Sequence, residues 1–244
     1  LLLHGLTANG KSLKDHLDMK GHNEALKMLE KLADKEIKIT ENLIKEFHKV
    51  ILTDPFKEYP EVATGKFKRR SNYLYNEQGE RIDFTPPDDV MTQLNELINW
   101  TNNAIFPPKR RKMTYETHPL IIAAIFHLRF INIHPFDDGN GRICRILVNI
   151  ILIQCGFPPI IIKKDDRQTY FRAIQKAWEE GEEFLAVFLG NALIHALELY
   201  LKASKGASID DPDDLDKKIA LIDQKIKGLD TRQEVKVKKD VNVV

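Results

Sequence analysis

The chain has 244 residues, 43% of them hydrophobic and 30% charged, which is the composition of a globular protein with room for one large domain and an appendage. Its 37 basic and 36 acidic residues nearly cancel, which argues against nucleic acid or an anionic membrane surface as a partner. Two cysteines in apolar surroundings argue against a disulfide framework and fit a reducing, cytoplasmic compartment. No apolar stretch combines the length and the lack of charge of a transmembrane helix, and residues 118–133 come closest.

Helical periodicity runs through most of the chain. Taken in order, the apolar spacing predicts helices over residues 23–34, 40–52, 88–98, 118–133, 142–155, 166–180 and 182–202. Thr40 and Asp88 are the expected N-caps of the second and third of these helices. The helix over residues 118–133 is apolar nearly all round, so we expect it to be central and buried. The predicted fold class is all-α.

Residues 65–84 depart from the helical pattern. Aromatic residues at period two flank a glycine-containing turn at residues 76–79, which predicts a β-hairpin. A lone hairpin is marginally stable, so this one must pack on the helices or be completed by a bound strand. The basic run at its start is interpreted as a solvated loop rather than a nucleic-acid patch; it comprises Lys66, Lys68, Arg69 and Arg70.

Composition divides the chain into three parts. Residues 1–39 form a helical lead-in, residues 40–203 the main domain, and residues 204–244 a linker and tail. Within the tail, residues 215–229 have amphipathic spacing, which suits either a homodimer contact or a connection to a further domain. The chain opens with Leu1 rather than Met, and we expect it to be cut from a longer protein.

The most informative segment begins at His134, where the central helix is expected to end. Pro135 disfavours helical geometry at the residue before it, so the His134 side chain should stand at the mouth of a loop. An imidazole with an ordinary pKa near 6.5 can accept the proton of a hydroxyl group. Cys144, further along, is interpreted as a small packing residue rather than a nucleophile.

The residues of the loop after His134 predict a phosphate-binding site. Gly139, Asn140 and Gly141 let the backbone turn its N–H groups toward one point, where the next helix begins and presents its positive dipole end. Arg142 and Arg145 are three residues apart and share a face of that helix. The carboxylate of Asp138 is the kind of ligand that Mg²⁺ takes together with phosphate oxygens.

Residues 134–145 resemble the motif of the Fic family, H-x-F-x-[D/E]-G-N-G-R-x-x-R, at every fixed position. The matching residues are His134, Phe136, Asp138, Gly139, Asn140, Gly141, Arg142 and Arg145. The resemblance extends over residues 40–202, with residues 118–136 similar to the helix before the motif and residues 65–76 similar to the family's flap. It implies a Fic fold, in which a helical bundle surrounds a central motif helix pair and carries a small β-hairpin flap.

The resemblance implies a protein adenylyltransferase, which uses ATP and Mg²⁺ to place AMP on a Ser, Thr or Tyr hydroxyl of a target protein and releases pyrophosphate. By carry-over, His134 deprotonates the target hydroxyl and Asp138 binds Mg²⁺. The phosphates are held by Gly139, Asn140, Gly141 and Arg142, with help from Arg145. Phosphoryl-type transfer needs positioning and charge neutralisation above all, which agrees with these roles.

Two further groups of residues gain roles from the resemblance. Tyr73, Leu74 and Tyr75 fall on the flap, which in the family adds an extended target segment as a strand, although simple hairpin packing explains them equally well. Tyr170, Phe171 and Trp178 stand at helical spacing, so core packing is their default interpretation. The position that these three residues take in the family makes lining of an adenine pocket as good an interpretation as core packing.

Regulation is expected to act on Arg145. Many relatives carry a helix with the pattern [S/T]-x-x-x-E-[G/N], whose glutamate pairs with the arginine that Arg145 matches. Residues 92–96 have the spacing, but Leu97 follows them and the pattern is not met. We expect an inhibitory helix upstream of Leu1, or a separate antitoxin chain, to supply the glutamate, and this chain to be more active without it.

Two rival interpretations stay open. One keeps the fold but changes the chemistry to another nucleotide donor, to kinase-like transfer or to AMP removal. The intact turn at residues 139–141 argues against kinase-like transfer, and the missing regulatory glutamate argues against AMP removal. The other is a binding or regulatory module that has lost activity, against which the presence of both His134 and Asp138 argues.

Overall fold

The computed structural model describes residues 21, 24–31, 35–52, 64–75, 79–106, 117–163 and 165–206. Over these residues the chain is mostly helical, with one small two-stranded antiparallel sheet, which confirms the predicted fold class. The chain divides into two compact units, Leu1–Leu197 and Glu198–Val244. The second unit is described only over residues 198–206, so the predicted helix over residues 215–229 lies outside the described residues.

The described residues contain seven helices and two strands. In chain order they are α1 (24–31), α2 (Glu41–Ile51), β1 (Tyr73–Tyr75), β2 (Arg81–Asp83), α3 (Pro87–Ile105), α4 (Pro119–Ile133), α5 (Asn140–Gln154), α6 (Arg167–Glu179) and α7 (Glu183–Ser204).

Helices α4 and α5 form the centre of the first unit. Both are apolar on most of their surface, and α5 buries a continuous run from Ile143 to Leu152 apart from Arg145. On α4, Phe126 and Phe130 are fully buried and stack with ring centroids 5.7 Å apart. Helices α2 and α3 pack around this pair, which fixes the loop between α4 and α5 inside the bundle. The central position predicted for residues 118–133 is confirmed.

The starts of α2 and α3 show two different ways of satisfying a helix N-terminus. Thr40 caps α2 as predicted, because its hydroxyl oxygen accepts a hydrogen bond from the N–H of Leu43 at 3.1 Å. The prediction that Asp88 caps α3 is wrong, since the N-cap is Pro86 and the helix begins at Pro87. Proline suits that first position because the missing N–H would have had no helical partner, and Asp88 instead adds negative charge to the first turn.

The hairpin is shorter than residues 65–84. Its three cross-strand pairs join Tyr73 to Asp83, Leu74 to Ile82 and Tyr75 to Arg81. The chain on both sides of these strands is held by α4 and the loop that follows it: the N–H of Lys68 donates to the carbonyl of Pro135 in the loop, and the N–H of Thr85 donates to that of Asn132 in α4. The hairpin thus packs on the end of α4 and on the loop that carries the motif.

Helix α7 corrects one expectation about membranes. By length and composition alone it is long and apolar enough to cross a bilayer, whereas α4, over residues 118–133, is too short. The charged residues of α7 are Glu183, Glu198 and Lys202, and the rest of this helix is mostly apolar. Only 22% of its apolar window is buried in the protein.

Candidate functional site

His134 is placed at the end of α4 in a left-handed backbone conformation, with φ 46° and ψ 60°. It is the only residue other than glycine with a positive φ among those the structure describes. Its ring stacks on Phe84, with centroids 3.9 Å apart, and its Nδ1 lies 3.2 Å from the carbonyl oxygen of Ile131. A carbonyl only accepts, so Nδ1 carries the proton and the lone pair is on Nε2.

The surroundings of His134 keep its ring neutral. Burial lowers its pKa from 6.5 to about 4; the hydrogen bond to Ile131 opposes that shift, the cation of Lys68 adds to it, and the carboxylate of Asp138 opposes it. At pH 7 the imidazole is therefore in the form that accepts a proton. The ring is thus neutral, with its acceptor nitrogen defined by a backbone hydrogen bond.

The loop from Phe136 to Asn140 is closed by a side chain. The amide oxygen of Asn140 accepts from the N–H of Phe136 at 3.0 Å, and its amide nitrogen donates to the carbonyl of Phe136 at 2.8 Å. Gly139 precedes α5 with φ 80°, a conformation that side chains disfavour. Because the Asn140 side chain is already engaged, its contribution to a phosphate site is its backbone N–H at the start of α5, where N–H groups have no helical partners.

Asp138 lies at the edge of this loop with its side chain 47% exposed. One carboxylate oxygen accepts from the N–H of Gly139 at 2.6 Å, and the other lies 3.3 Å from Nη2 of Arg142. The described residues hold no cluster of three or more metal-ligating side chains. A single exposed carboxylate beside a helix N-terminus fits Mg²⁺, which keeps several waters and takes its other ligands from phosphates.

Arg145 reaches back across the first turn of α5. A Cβ placed on Gly141 would lie 3.5 Å from its Nη1, so the guanidinium covers that glycine. Its charge acts on the buried hydroxyl of Tyr170, whose oxygen is 2.5 Å from Nε2 of the fully buried His127. Arg145 therefore lies in the electrostatic neighbourhood of a buried polar pair.

The structure separates the three candidates for an adenine pocket. Tyr170 is buried and packs on His127, with ring centroids 5.5 Å apart in an edge-to-face arrangement. Phe171 and Trp178 are 52% and 40% exposed. Tyr170 thus takes the core position that helical spacing predicts, while the other two are open to a ligand and their role stays a prediction.

The flap candidates divide by face. Tyr73 and Tyr75 are exposed on the same side of β1, with ring centroids 5.6 Å apart, and Arg81 stacks on Tyr73. Leu74 points to the other side and is half-buried. An exposed pair of aromatic rings beside a short strand suits contact with a peptide, and the docking role of these three residues stays a prediction.

His48 contributes to the site and was missed in the sequence. Its Nδ1 accepts from the N–H of Gly65 at 2.8 Å, its Nε2 lies 3.0 Å from the carbonyl oxygen of Asp138, and its ring stacks on Phe136 at 3.7 Å. Burial lowers its pKa, although the hydrogen bond to Asp138 opposes the shift. The signal was a histidine in the apolar stripe of α2, between Ile44 and Ile51, where it has to find polar partners inside the protein.

Lys68 is the second residue that was missed. It is only 3% exposed, while Lys66, Arg69 and Arg70 beside it are exposed, so interpreting the whole basic run as solvated is wrong for this one member. The cause is the pairing of its backbone with Pro135, which turns the side chain inward. Burial of the Cys144 thiol, by contrast, raises its pKa and supports the packing role predicted for it.

A helical bundle whose central pair brings a base, a carboxylate and a helix N-terminus to one loop is the architecture of a Fic-type domain. Residues 38–152 match the model of the Fic/DOC family. The crystal structure of a Fic domain-containing signaling protein from Bacteroides thetaiotaomicron has a TM-score of 0.74 and 33% identity, over 86% of this chain and 80% of that one. The chain belongs to the Fic/DOC family.

Two further relatives bear on activity. "Protein adenylyltransferase Fic" of Aedes aegypti is 31% identical over 206 residues, which are 83% of this chain and 38% of that protein. The structure of Fic-1 from C. elegans has a TM-score of 0.64 and 27% identity, over 85% of this chain and 57% of that one. The chain spans less than half the length of the curated relative, so the activity of the whole protein is a matter for proposal.

Proposed function

We propose that this protein transfers AMP from ATP to a hydroxyl group of a Ser, Thr or Tyr residue on a target protein. The observation that carries the proposal is the neutral His134, whose Nε2 lone pair stands at a loop that also holds Asp138 and the start of α5. The name of the Aedes aegypti relative supports the same activity. A base beside an anion-binding helix terminus is what nucleotidyl transfer to a hydroxyl requires.

The transfer is a single displacement at the α-phosphorus of ATP. Nε2 of His134 takes the proton of the target hydroxyl while the oxygen attacks the α-phosphorus. The bond between the α-phosphorus and the oxygen that bridges to the β-phosphate breaks, and pyrophosphate leaves with that oxygen. The target then carries AMP as a phosphodiester, and the proton on His134 is lost to water. Holding the reacting groups in line is the larger part of the catalysis.

The residues of the α4–α5 loop hold the nucleotide in this proposal. The backbone N–H groups of Asn140 and Gly141 and the guanidinium of Arg142 bind phosphate oxygens, while Gly139, whose own N–H donates to Asp138, supplies the turn that presents them. Arg145 reaches a further phosphate from across the first turn. Asp138 would hold Mg²⁺, which when bound neutralises charge on the phosphates.

The target segment is proposed to pair with the hairpin. Strand addition reads the backbone of a peptide more than its side chains, so the hydroxyl is aligned with little demand on sequence. The exposed rings of Tyr73 and Tyr75 flank the path of such a segment. Proteins with an exposed, extended segment bearing a hydroxyl are therefore the proposed partners.

The test uses ATP labelled at either the α- or the γ-phosphate, with Mg²⁺ and a cell lysate as the source of targets. Transfer of the α-label alone is expected, with a mass increase of one adenylyl group, which is AMP less one water. His134→Ala should reduce it by about 10²–10⁴-fold, because a general base is lost. His195→Ala, on the exposed side of α7, is the matched control and should retain full activity.

The other outcomes decide between the rival interpretations. Transfer of the γ-label would show kinase-like chemistry, and transfer from another nucleotide would show a changed donor. Release of AMP from a modified target would show the reverse activity. No transfer from any donor would mean a binding module. Adding an upstream segment tests regulation, since equal rates with and without it would contradict the proposed inhibition through Arg145.

A further inference from the structure

Lys68 is a charged residue in an unusual place. Lysine is among the residues least often fully buried, and Lys68 is only 3% exposed. Burial lowers its pKa from 10.5 to about 8, with Asp137 opposing the shift, so the amine is still mostly protonated at pH 7. A buried cation is costly unless it is hydrogen-bonded, so Lys68 needs hydrogen-bond partners inside the protein.

Those partners converge on the backbone around His134. The amine of Lys68 donates to the carbonyl of Ile133 at 3.2 Å and to Oδ1 of Asn72 at 2.6 Å. The backbone N–H of Lys68 donates to the carbonyl of Pro135 at 2.9 Å. The amide nitrogen of Asn72 in turn donates to the carbonyl of Phe136 at 3.2 Å. Lys68 and Asn72, which we call the clamp, thus hold three carbonyl groups on both sides of His134.

The backbone at His134 needs such support. A left-handed conformation costs a residue with a side chain about 1–2 kcal/mol, and it persists only where the surroundings impose it. The turn at φ 46° also leaves the carbonyl groups after α4 without helical partners. The clamp supplies partners for them, and it does so from outside the α4–α5 segment.

We propose that Lys68, with Asn72, is a positioning residue for His134: it holds the left-handed turn that aims the imidazole and places a fixed cation beside the ring. This inference rests on the proposed function, because His134 is the base of that reaction. The hydrogen bonds of the clamp to the backbone end on the carbonyls of Ile133, Pro135 and Phe136, so it acts first on the base; only the Phe136 carbonyl is shared with the start of α5, through Asn140.

The charge of Lys68 has its own effect on the base. Two ionisable groups act on the His134 ring, Lys68 from the hairpin side and Asp138 from the motif loop. The cation disfavours a second positive charge on the ring, so it keeps His134 neutral and ready to accept a proton at lower pH. The uncharged Phe84 fills the remaining face of the ring by stacking.

The clamp also joins the hairpin to the base. Asn72 directly precedes β1, and its carbonyl accepts from the N–H of Phe84, which directly follows β2. Phe84 is the residue that stacks on His134. A peptide that pairs with the hairpin would therefore contact strands whose two flanking residues both reach the segment around His134: Asn72 through the carbonyl of Phe136, and Phe84 by stacking on the His134 ring.

The experiment compares Lys68→Met and Asn72→Ala with the control Lys66→Met, which removes an exposed lysine two residues away. Steady-state AMP transfer is measured across pH 4 to 8, and the imidazole of His134 is titrated by NMR in the same variants. Lys68→Met is expected to lower kcat by at least about tenfold, since small misplacements of a reacting group are costly, with little change in the KM for ATP. It is also expected to move the acidic limb and the His134 titration to higher pH. Asn72→Ala should lower kcat while leaving the limb in place.

The NMR titration needs no activity, which separates the two proposals. If the wild-type protein transfers no AMP, the proposed function fails, and the titration still decides the role of Lys68. An unmoved His134 titration together with an unchanged kcat in Lys68→Met would overturn the clamp. If Lys68→Met does not fold, as seen in its circular dichroism, Asn72→Ala takes its place, and an unchanged kcat in that variant would overturn the clamp instead.

Discussion

Tyr170→Phe should destabilise the protein through His127, not through lost packing. The Tyr170 oxygen lies 2.5 Å from Nε2 of His127, so its hydroxyl is the hydrogen-bond partner of that ring nitrogen. The other ring nitrogen, Nδ1, is the buried side-chain atom without a hydrogen-bond partner among the residues that the structure describes. Removing the hydroxyl leaves both ring nitrogens unpaired in the core.

The loss of stability in Tyr170→Phe follows from the unpaired ring nitrogens of His127. An unsatisfied buried polar group costs about 1–3 kcal/mol, so Tyr170→Phe is expected to lower the free energy of unfolding by about 2 kcal/mol. In a His127→Leu background the unpaired nitrogens are gone, and the same change should cost about 1 kcal/mol or less. The difference is a coupling energy of roughly 1 kcal/mol, which is within the range measured for residues in contact.

The assay is urea denaturation at pH 7.5 followed by circular dichroism, with all four members of the cycle measured together. ATP binding is measured on the same samples, because the charge of Arg145 acts on the Tyr170 hydroxyl, and the affinity for ATP is expected to fall in Tyr170→Phe. Equal costs of Tyr170→Phe in the two backgrounds, to within about 0.5 kcal/mol, would refute the reasoning.

Three further predictions follow from single positions. Gly139→Ala should lower the free energy of unfolding by about 1–2 kcal/mol in urea denaturation, because φ at Gly139 is 80°. Gly141→Ala should leave the melting temperature unchanged or raised, since its Cβ meets only Nη1 of Arg145 at 3.5 Å, but should weaken ATP binding by calorimetry; a large loss of stability would contradict this. Burial, with help from Arg145, lowers the pKa of His127 from 6.5 to about 3, so the unfolded chain binds a proton first as pH falls. Stability is then lost between pH 6.5 and about 3, by about 2 kcal/mol at pH 5, and His127→Leu should be less acid-sensitive in the same assay.

Local chemistry was enough to predict much of the site. Pro135 placed the end of α4 at His134, and Gly139 placed the turn before α5, because each of these residues restricts its own backbone. Thr40 was identified as a cap from its side chain alone. Each of these features depends only on residues that are close together in the sequence.

The parts that escaped prediction depend on long-range pairing. Lys68 is buried because its backbone meets Pro135, a contact between residues far apart in the chain. Likewise, the partners of His48 are Gly65 and Asp138, on two separate loops. Tyr170 has ordinary helical spacing, and only the packed structure shows that its hydroxyl meets His127. Neither composition nor periodicity carries this kind of information.

The bonds made by His48 all run in one direction. Gly65 donates to the ring, the ring donates to the carbonyl of Asp138, and the N–H of the same peptide unit, on Gly139, donates to the Asp138 carboxylate. Hydrogen bonds joined head to tail polarise one another, so each strengthens the next. The carboxylate proposed to hold a metal therefore stands at the end of a polarised chain that begins where the hairpin segment enters the fold. The strength of the Asp138 carboxylate as a metal ligand is then set partly by the backbone N–H of Gly65, which acts on it through the His48 ring.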